Sequence, residues 1–394
     1  MTLCNGKENH KKTHPERFGG GDDSRPKSKR RITSFDVAKE AGVSRSTVSA
    51  VINKNTKVGI SESTTQKVLS AAARLGYIPK LAARSISSHR SYAIGLISCW
   101  QSNSYMLTRP LRGMMQYLRQ EEYSLTLCDL GSADMTKSAA IAVKYFLEGR
   151  IDGLIIILRT NAPEEEVASA LDLLRRENMP LVLVNTAVEE PDIDEVNCDN
   201  LHAGYIATKH LISCGHRDIA FIYRRQNAEN CSLAEEGRYR GYIKALEEAG
   251  IEPPEDYVVR LPDQEFDVKQ GSDALHYLMN NDGARRRPSA VYTLNDTVAL
   301  GVIYAAAKAG LHLPEDLAIV GNDDMEGSRL LCPALTSVAQ PLQQMGEEAA
   351  RLLKQRIEGT GPDHPVKLTL PCHLVIRESC GWSGQAEVER EEQS

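Results

Sequence analysis

Apolar residues near the front of the chain recur in three short bursts at helical spacing. The first holds Val37, Ala38 and Ala41, and the second holds Val48, Val51 and Ile52. The third is read over Val68, Leu69, Ala72 and Leu75. Each burst has polar residues at its edges that explain where it starts and stops. Thr33 can cap the first helix, with Asp36 three residues on completing an approximate capping box. Gly42 stops it, because glycine enters a left-handed helix end without steric cost. Ser44 and Ser61 supply fresh N-caps for the second and third helices. Three short helices with a glycine corner between the first two predict a helix-turn-helix, whose second helix is shaped to enter a DNA major groove.

From Tyr92 onward the pattern changes to short β-branched runs: AIGLIS, LTLCDL, DGLIII, PLVLVN, DIAFIY, AVYTLN and LAIVGN. Amphipathic helical stretches alternate with them. Such alternation predicts parallel sheets covered by helices on both faces. Ligands in open α/β sheets bind beyond the carboxyl ends of the strands. That rule selects Ser98 to Gln101, Leu130, Leu158, Asn185, Tyr223, Asn295 and Asp323.

Charge divides the chain in the same place. Residues 1–90 carry 18 Lys/Arg against 7 Asp/Glu, leaving 29 against 46 for the remainder of totals of 47 and 53. A basic front joined to an acidic body points to a polyanion as partner of the front alone. No apolar run approaches the roughly 20 residues that span a bilayer, and the basic N-terminus lacks the apolar segment of a secretory signal. A cytoplasmic location is therefore expected, with no membrane contact. The nine cysteines form no C-x-x-C pair and no His/Cys cluster at metal spacing. They read as small buried hydrophobes in a reducing compartment, and neither a metal nor a cofactor is expected.

The second helix has an outer face as well as a buried one. Arg45 with Ser49, and Ser46 with Ala50, are i,i+4 pairs opposite the apolar stripe. Small residues there let the backbone approach a groove floor, and Arg45 is the one long donor, suited to a bidentate contact with guanine.

The segment TSFDVAKEAGVSRSTVSAVIN, then ISESTTQKVLSAAARLGYIPKLAARSI and AIGLI, resembles the LacI family of bacterial transcription regulators. The likeness continues in order through DGLIII, GHRDIAFI, RYRGY, NDTVALG, VGNDD and PALTSVAQP, and so spans residues 31–379. It implies an α/β chain in which an all-α helix-turn-helix precedes a two-lobed, doubly wound, periplasmic-binding-protein-like domain. The expected parts are a disordered basic tail (1–30), the DNA-binding domain (31–78), a hinge helix (79–91), an effector-binding and dimerisation domain (92–380) and a disordered acidic tail (381–394). The chain is expected to cross between lobes near 198, 340 and 370.

The resemblance also implies roles. The DNA-facing set is Thr33, Ser34, Ser44, Arg45, Ser46, Thr47, Ser49, Ala50 and Asn53, followed in the hinge by Leu81, Ala82, Arg84, Ser85 and Ile86. Ile86 stands at the usual leucine wedge, with similar volume but a stiffer χ1. The effector set is Trp100, Met106, Leu107, Asn185, Arg238, Asn295 and Asp323. Trp100 either stacks on a ligand or packs against the lobe. Around Tyr105, Met106 and Leu107 the family places a ligand-facing loop, from whose usual composition Arg109 and Pro110 depart. Asn322 departs too, standing where Tyr or Phe is common.

Two other classes remain for comparison: a solute-binding protein that never touches DNA, and an enzyme built on similar lobes. The first calls for a secretion signal and no helix triplet. The second calls for a motif such as G-x-G-x-x-G, G-x-x-x-x-G-K-[ST], H-E-x-x-H or G-x-S-x-G, and none is present. The sequence therefore reads as a non-enzymatic, homodimeric repressor of a pseudo-palindromic duplex site, controlled by a sugar or related metabolite.

Overall fold

The computed structural model describes residues 32–52, 59–77, 90–102, 104–132, 134–159, 164–186, 190–224, 233–252, 255–261, 268–280 and 287–382. The chain divides into two compact units, residues 1–84 and 85–394. Asn53, Leu81, Ala82, Arg84, Ser85 and Ile86 lie outside the described residues, as do both expected tails apart from Gly381 and Trp382.

In the first unit, α1 (Ser34–Ala41), α2 (Arg45–Ile52) and α3 (Glu62–Leu75) surround a core of Val37, Ala38, Val48, Val51, Val68, Ala71 and Ala72. The Thr33 backbone N–H donates to the Asp36 carboxylate at 2.8 Å, closing the return half of the capping box. Gly42 takes φ +67°, and its N–H caps the Ala38 carbonyl. Ser44 Oγ accepts from the Thr47 N–H at 3.1 Å, and Ser61 Oγ from the Thr64 N–H at 3.2 Å. One sequence expectation is corrected: Leu69 is 44% exposed, and Ala71 takes its place in the core. Val68, Ala71, Ala72 and Leu75 are the i, i+3, i+4, i+7 set. Leu69 lies about 100° off that line, so spacing overrides its greater hydrophobicity.

The second unit contains two six-stranded sheets. β1 (Ala93–Ser98), β2 (Ser124–Leu130), β3 (Gly153–Ile157), β4 (Leu181–Val184) and β5 (Asp194–Cys198) belong to the first. β6 (Ile219–Arg224), β7 (Val258–Leu261), β8 (Ala290–Thr293), β9 (Ala318–Asn322) and β10 (Thr336–Ala339) belong to the second. β11 (Lys367–Leu370) then returns to the first sheet and β12 (His373–Val375) to the second. The orders are β11-β5-β4-β3-β1-β2 and β12-β10-β9-β8-β6-β7, parallel throughout except that β12 runs antiparallel to β10. All seven apolar runs read from the sequence are strands.

Burial explains the lack of alternation in those runs. Along β3, Leu154 and Ile156 pack into one core cluster while Ile155 and Ile157 pack into another, so both faces are covered. Helices α4 (Tyr105–Gln120), α5 (Met135–Leu147) and α6 (Glu164–Arg176) follow the first three strands of the first lobe. In the second lobe lie α7 (Asn200–Ser213), α8 (Leu233–Glu248), α9 (Val268–Met279) and α10 (Asp296–Lys308). After β10 the chain enters α11 (Leu342–Glu358), which packs on β3, β4, β5 and α4 of the first lobe. The segments after Cys198, at Gln340 and between Leu370 and His373 therefore connect the lobes.

Candidate functional site

The two helices of the turn motif present a compact polar surface. Arg45 is exposed at the first position of α2 and enters no hydrogen bond or ion pair among the described residues. Beside it the Ser44 hydroxyl lies 2.6 Å from that of Ser46 and 2.9 Å from that of Thr47, a small network that fixes the helix start. Ser49 is exposed and Ala50 half-buried. Thr33 is exposed, its hydroxyl turned onto the Asp36 carboxylate at 2.7 Å, and Ser34 is half-buried in the first turn of α1. Arg45 thus sits at a helix N-terminus, where backbone N–H groups and the helix dipole also favour an anion.

In the second unit the carboxyl ends of the two sheets face one another. From the first lobe the Tyr105 hydroxyl donates to Asp323 Oδ2 at 2.5 Å, and the Arg109 guanidinium donates to the Asp323 and Asp324 carbonyls at 3.3 and 2.6 Å. Asp323 Oδ1 accepts from Asn322 Nδ2 at 2.8 Å and from Gln340 Nε2. Arg238, only 6% exposed, donates to Asn200 Oδ1 at 3.1 Å and to the Leu294 carbonyl at 2.7 Å. Glycine permits this placement: a Cβ on Gly204 would come within 2.0 Å of the Arg238 carbonyl oxygen, so only glycine lets α7 and α8 close so far.

Electrostatics bind the group together. Burial pushes the Asp323 carboxyl up, opposed by the nearby Arg238 charge. Burial, then the Asp323 charge, pushes the Tyr105 phenol well above its ordinary value. Asp296, next to Asn295, is pushed up to about 7 by burial and then by Asp323, against donors from Ser328, Ser337 and the Met325 N–H.

Three strained residues and two orphaned polar atoms lie at these edges. Asn185, Asp323 and Asp324, at the ends of β4 and β9, take φ of 55°, 111° and 48°. Non-glycine residues in that region cost about 1–3 kcal/mol each and gather at ligand clamps. Among the described residues, buried Asn185 Nδ2 and Tyr223 Oη, at the ends of β4 and β6, have no hydrogen-bond partner. Such atoms cost about 1–3 kcal/mol when left unpaired, a cost that a polar ligand in the cleft removes.

The expected effector residues are brought together unequally. Asp323 and Asn185 stand at the strand ends as read, and Arg238 of the RYRGY motif lies on α8. Asn295 stands there too, but its Oδ1 caps α10 by accepting from the Val298 N–H at 2.9 Å, leaving its amide N–H groups for other use. Trp100 is tied to its lobe, donating from Nε1 to the Leu158 carbonyl at 3.1 Å. The expected loop around Tyr105 is instead the first turn of α4, capped by Ser104. Met106 and Leu107, 6% and 1% exposed, pack into the hydrophobic core of the second unit. Tyr105 and Arg109 reach the cleft, and Gln340 joins them from a connecting segment. The fold brings together what the sequence spacing does not: His210, Cys214 and Cys380 have their ligand atoms within 4.8 Å of one another.

A helix-turn-helix joined to two parallel-sheet lobes with a polar, strained cleft defines a ligand-responsive DNA-binding regulator. Residues 35–80 match the description "Bacterial regulatory proteins, lacI family" and residues 208–380 match "Periplasmic binding protein-like domain". The chain is 32% identical over 352 residues to the HTH-type transcriptional repressor PurR of Histophilus somni, covering 88% of this chain and 98% of that one. It is 33% identical over 326 residues to the PurR of Photorhabdus laumondii, covering 82% and 90%. Among solved structures it is similar to the transcriptional regulator CelR–cellobiose complex, with TM-score 0.62, 30% identity and coverage of 89% and 100%. It is also similar to the lac repressor dimer bound to operator and the anti-inducer ONPF, with TM-score 0.69, 25% identity and coverage of 89% and 99%. The chain belongs to the LacI family. It is a DNA-binding transcription regulator controlled by a small-molecule effector, and not an enzyme. No helix among the described residues is long and apolar enough to cross a membrane.

Proposed function

We propose that the chain acts as a homodimeric repressor in the bacterial cytoplasm, each subunit placing Arg45 on half of a pseudo-palindromic operator. Two-fold protein symmetry calls for a two-fold site. A sugar or related polyhydroxylated metabolite enters between the lobes and alters operator affinity. The observation that carries this reading is the pair of unpartnered buried atoms, Asn185 Nδ2 and Tyr223 Oη, on opposite lobes. Asp323 at the end of β9 adds an acceptor, and Arg238 on α8 adds a donor. Vicinal hydroxyls both donate and accept, and so complement this set. The cellobiose-bound CelR and a ribose-bound LacI-family regulator from Enterococcus faecium support the same ligand class.

Control acts through the Tyr105–Asp323 bond, which joins the lobes. A ligand hydroxyl that competes for Asp323 changes how firmly they are held. The separation of two helix-turn-helix units then changes, a two-state response that an effector biases. The Asn53 and hinge contacts, from Leu81 to Ile86, belong to this proposal.

Calorimetric titration of the purified chain with a panel of sugars and nucleobases tests the ligand class. A sugar should bind, and Arg238→Ala should abolish that binding while operator affinity stays within about twofold. Nucleobase binding without any sugar binding would overturn the proposed class.

A further inference from the structure

We infer that His210, Cys214 and Cys380 form a binding site for a thiophilic metal cation on the second lobe, separate from the effector cleft. His210 and Cys214 are four residues apart near the end of α7 and so lie on one helix face. Cys380 closes the 3-10 turn Glu378–Cys380 and comes from 170 residues away. His210 Nε2 lies 3.1 Å from Cys380 Sγ and 3.7 Å from Cys214 Sγ, and all three ligand atoms fall within 4.8 Å of one another.

Hydrogen bonding gives Cys380 a second acceptor in the Arg377 carbonyl at 3.5 Å, but it joins the three ligand atoms through only one proton at a time. An imidazole Nε2 has one lone pair, so only one of two thiols at a time can donate to it. A cation uses all three atoms as electron donors. Tetrahedral zinc, with Zn–N of about 2.0 Å and Zn–S of about 2.3 Å, sets N···S at about 3.5 Å and S···S at about 3.8 Å. The two N···S spacings, 3.1 and 3.7 Å, straddle the first value, and the sulfurs, within 4.8 Å of one another, need to close by no more than about 1 Å to reach the second. Binding converts both thiols to thiolates and releases two protons to solvent, with no change in oxidation state. Two sulfurs and an imidazole select soft cations over magnesium or calcium.

The surroundings fit a metal site. Thr336 Oγ1 donates to Cys380 Sγ at 3.2 Å, the kind of outer contact that steadies a thiolate ligand. His210 and Cys380 are buried, whereas Cys214 is half-exposed and offers a way in. Water supplies the fourth zinc ligand. Thr336 begins β10, whose other end leads to Gln340 in the cleft, so the cluster occupies the opposite edge of the sheet. A bound cation there fastens the segment following the last lobe crossing to the helix following the first.

The test is a zinc titration of the full-length chain, kept reduced with a phosphine, in competition with a chromogenic chelator. Cobalt(II) serves as a second probe, through its thiolate charge-transfer absorption. One zinc per chain should bind, with a rise in melting temperature. Cys214→Ser, at the half-exposed position, should lose at least about 100-fold in affinity and the temperature rise. Thr336→Val should lose about 10- to 100-fold, as outer-contact losses do. Both variants are first shown by circular dichroism to be folded without metal. Equal zinc affinity in wild type and Cys214→Ser, absence of any melting shift, or a Cys214–Cys380 disulfide in the reduced preparation would overturn the assignment.

Discussion

Asp296 permits a pH prediction with a definite sign. Its carboxylate is 3% exposed, accepts from Ser337 Oγ at 2.6 Å and Ser328 Oγ at 2.6 Å, and takes the Met325 N–H at 2.8 Å. Burial still dominates, pushing it from 3.8 up to about 7. The unfolded chain therefore ionises first, and between those values the folded state holds more protons. Stability falls as pH rises through that window and is flat above it. At about 1.4 kcal/mol per pH unit, the stretch from pH 5 to pH 8 removes about 3 kcal/mol. Asp296→Asn keeps the shape but cannot ionise, and Ser337 can reverse its hydroxyl to accept from the new amide. Both tryptophans, Trp100 and Trp382, lie in residues 85–394, so urea unfolding followed by tryptophan emission reports on that unit. Wild type should lose about 3 kcal/mol relative to Asp296→Asn between the two pH values. Parallel pH profiles for the two proteins would refute the reasoning.

Other changes have separate readouts. Gly204→Ala forces a methyl against the Arg238 backbone; overpacking of this kind costs about 1–3 kcal/mol, measured by the same urea transition, with effector affinity falling more than operator affinity. Tyr105→Phe keeps the ring but removes the inter-lobe bond that a ligand hydroxyl must displace, a bond to a charged acceptor worth about 1.5–3 kcal/mol, so effector binding measured by calorimetry should tighten about tenfold or more. Arg45→Ala should cost about 1–3 kcal/mol on the preferred duplex and relax preference at one base position. An anisotropy assay over single-base variants reads that loss, and unchanged preference would remove Arg45 from base recognition.

Local chemistry was the part most easily read along the chain. Thr33 with Asp36, Gly42, Ser44 and Ser61 act on backbone groups three or four residues away, and each performs the capping role its type implies. The seven strands found were long or continuously apolar. Those missed, DEVNC, VVRL, TSVA, KLTL and HLV, have three to five residues and mix polar with apolar positions, so pairing with neighbours decides them rather than periodicity. Pro110 and Arg109 masked the start of α4, which Ser104 caps. Asp323 and Arg238 were legible from strand end and motif, but Tyr105, Arg109 and Gln340 reach Asp323 from 17 to 218 residues away. Cys380 meets His210 across a similar gap, and no local spacing signals either encounter.

Everything functional in this account rests on one coupling, between the cleft at Asp323 and the duplex at Arg45. The direct measurement is a fluorescence-anisotropy titration of the full-length protein on a duplex selected from a randomised pool, with and without a saturating sugar that calorimetry shows to bind. Wild type should change its dissociation constant at least tenfold on adding the sugar, and Arg238→Ala should bind the duplex but show no change. Identical wild-type curves with and without the bound sugar would contradict the account.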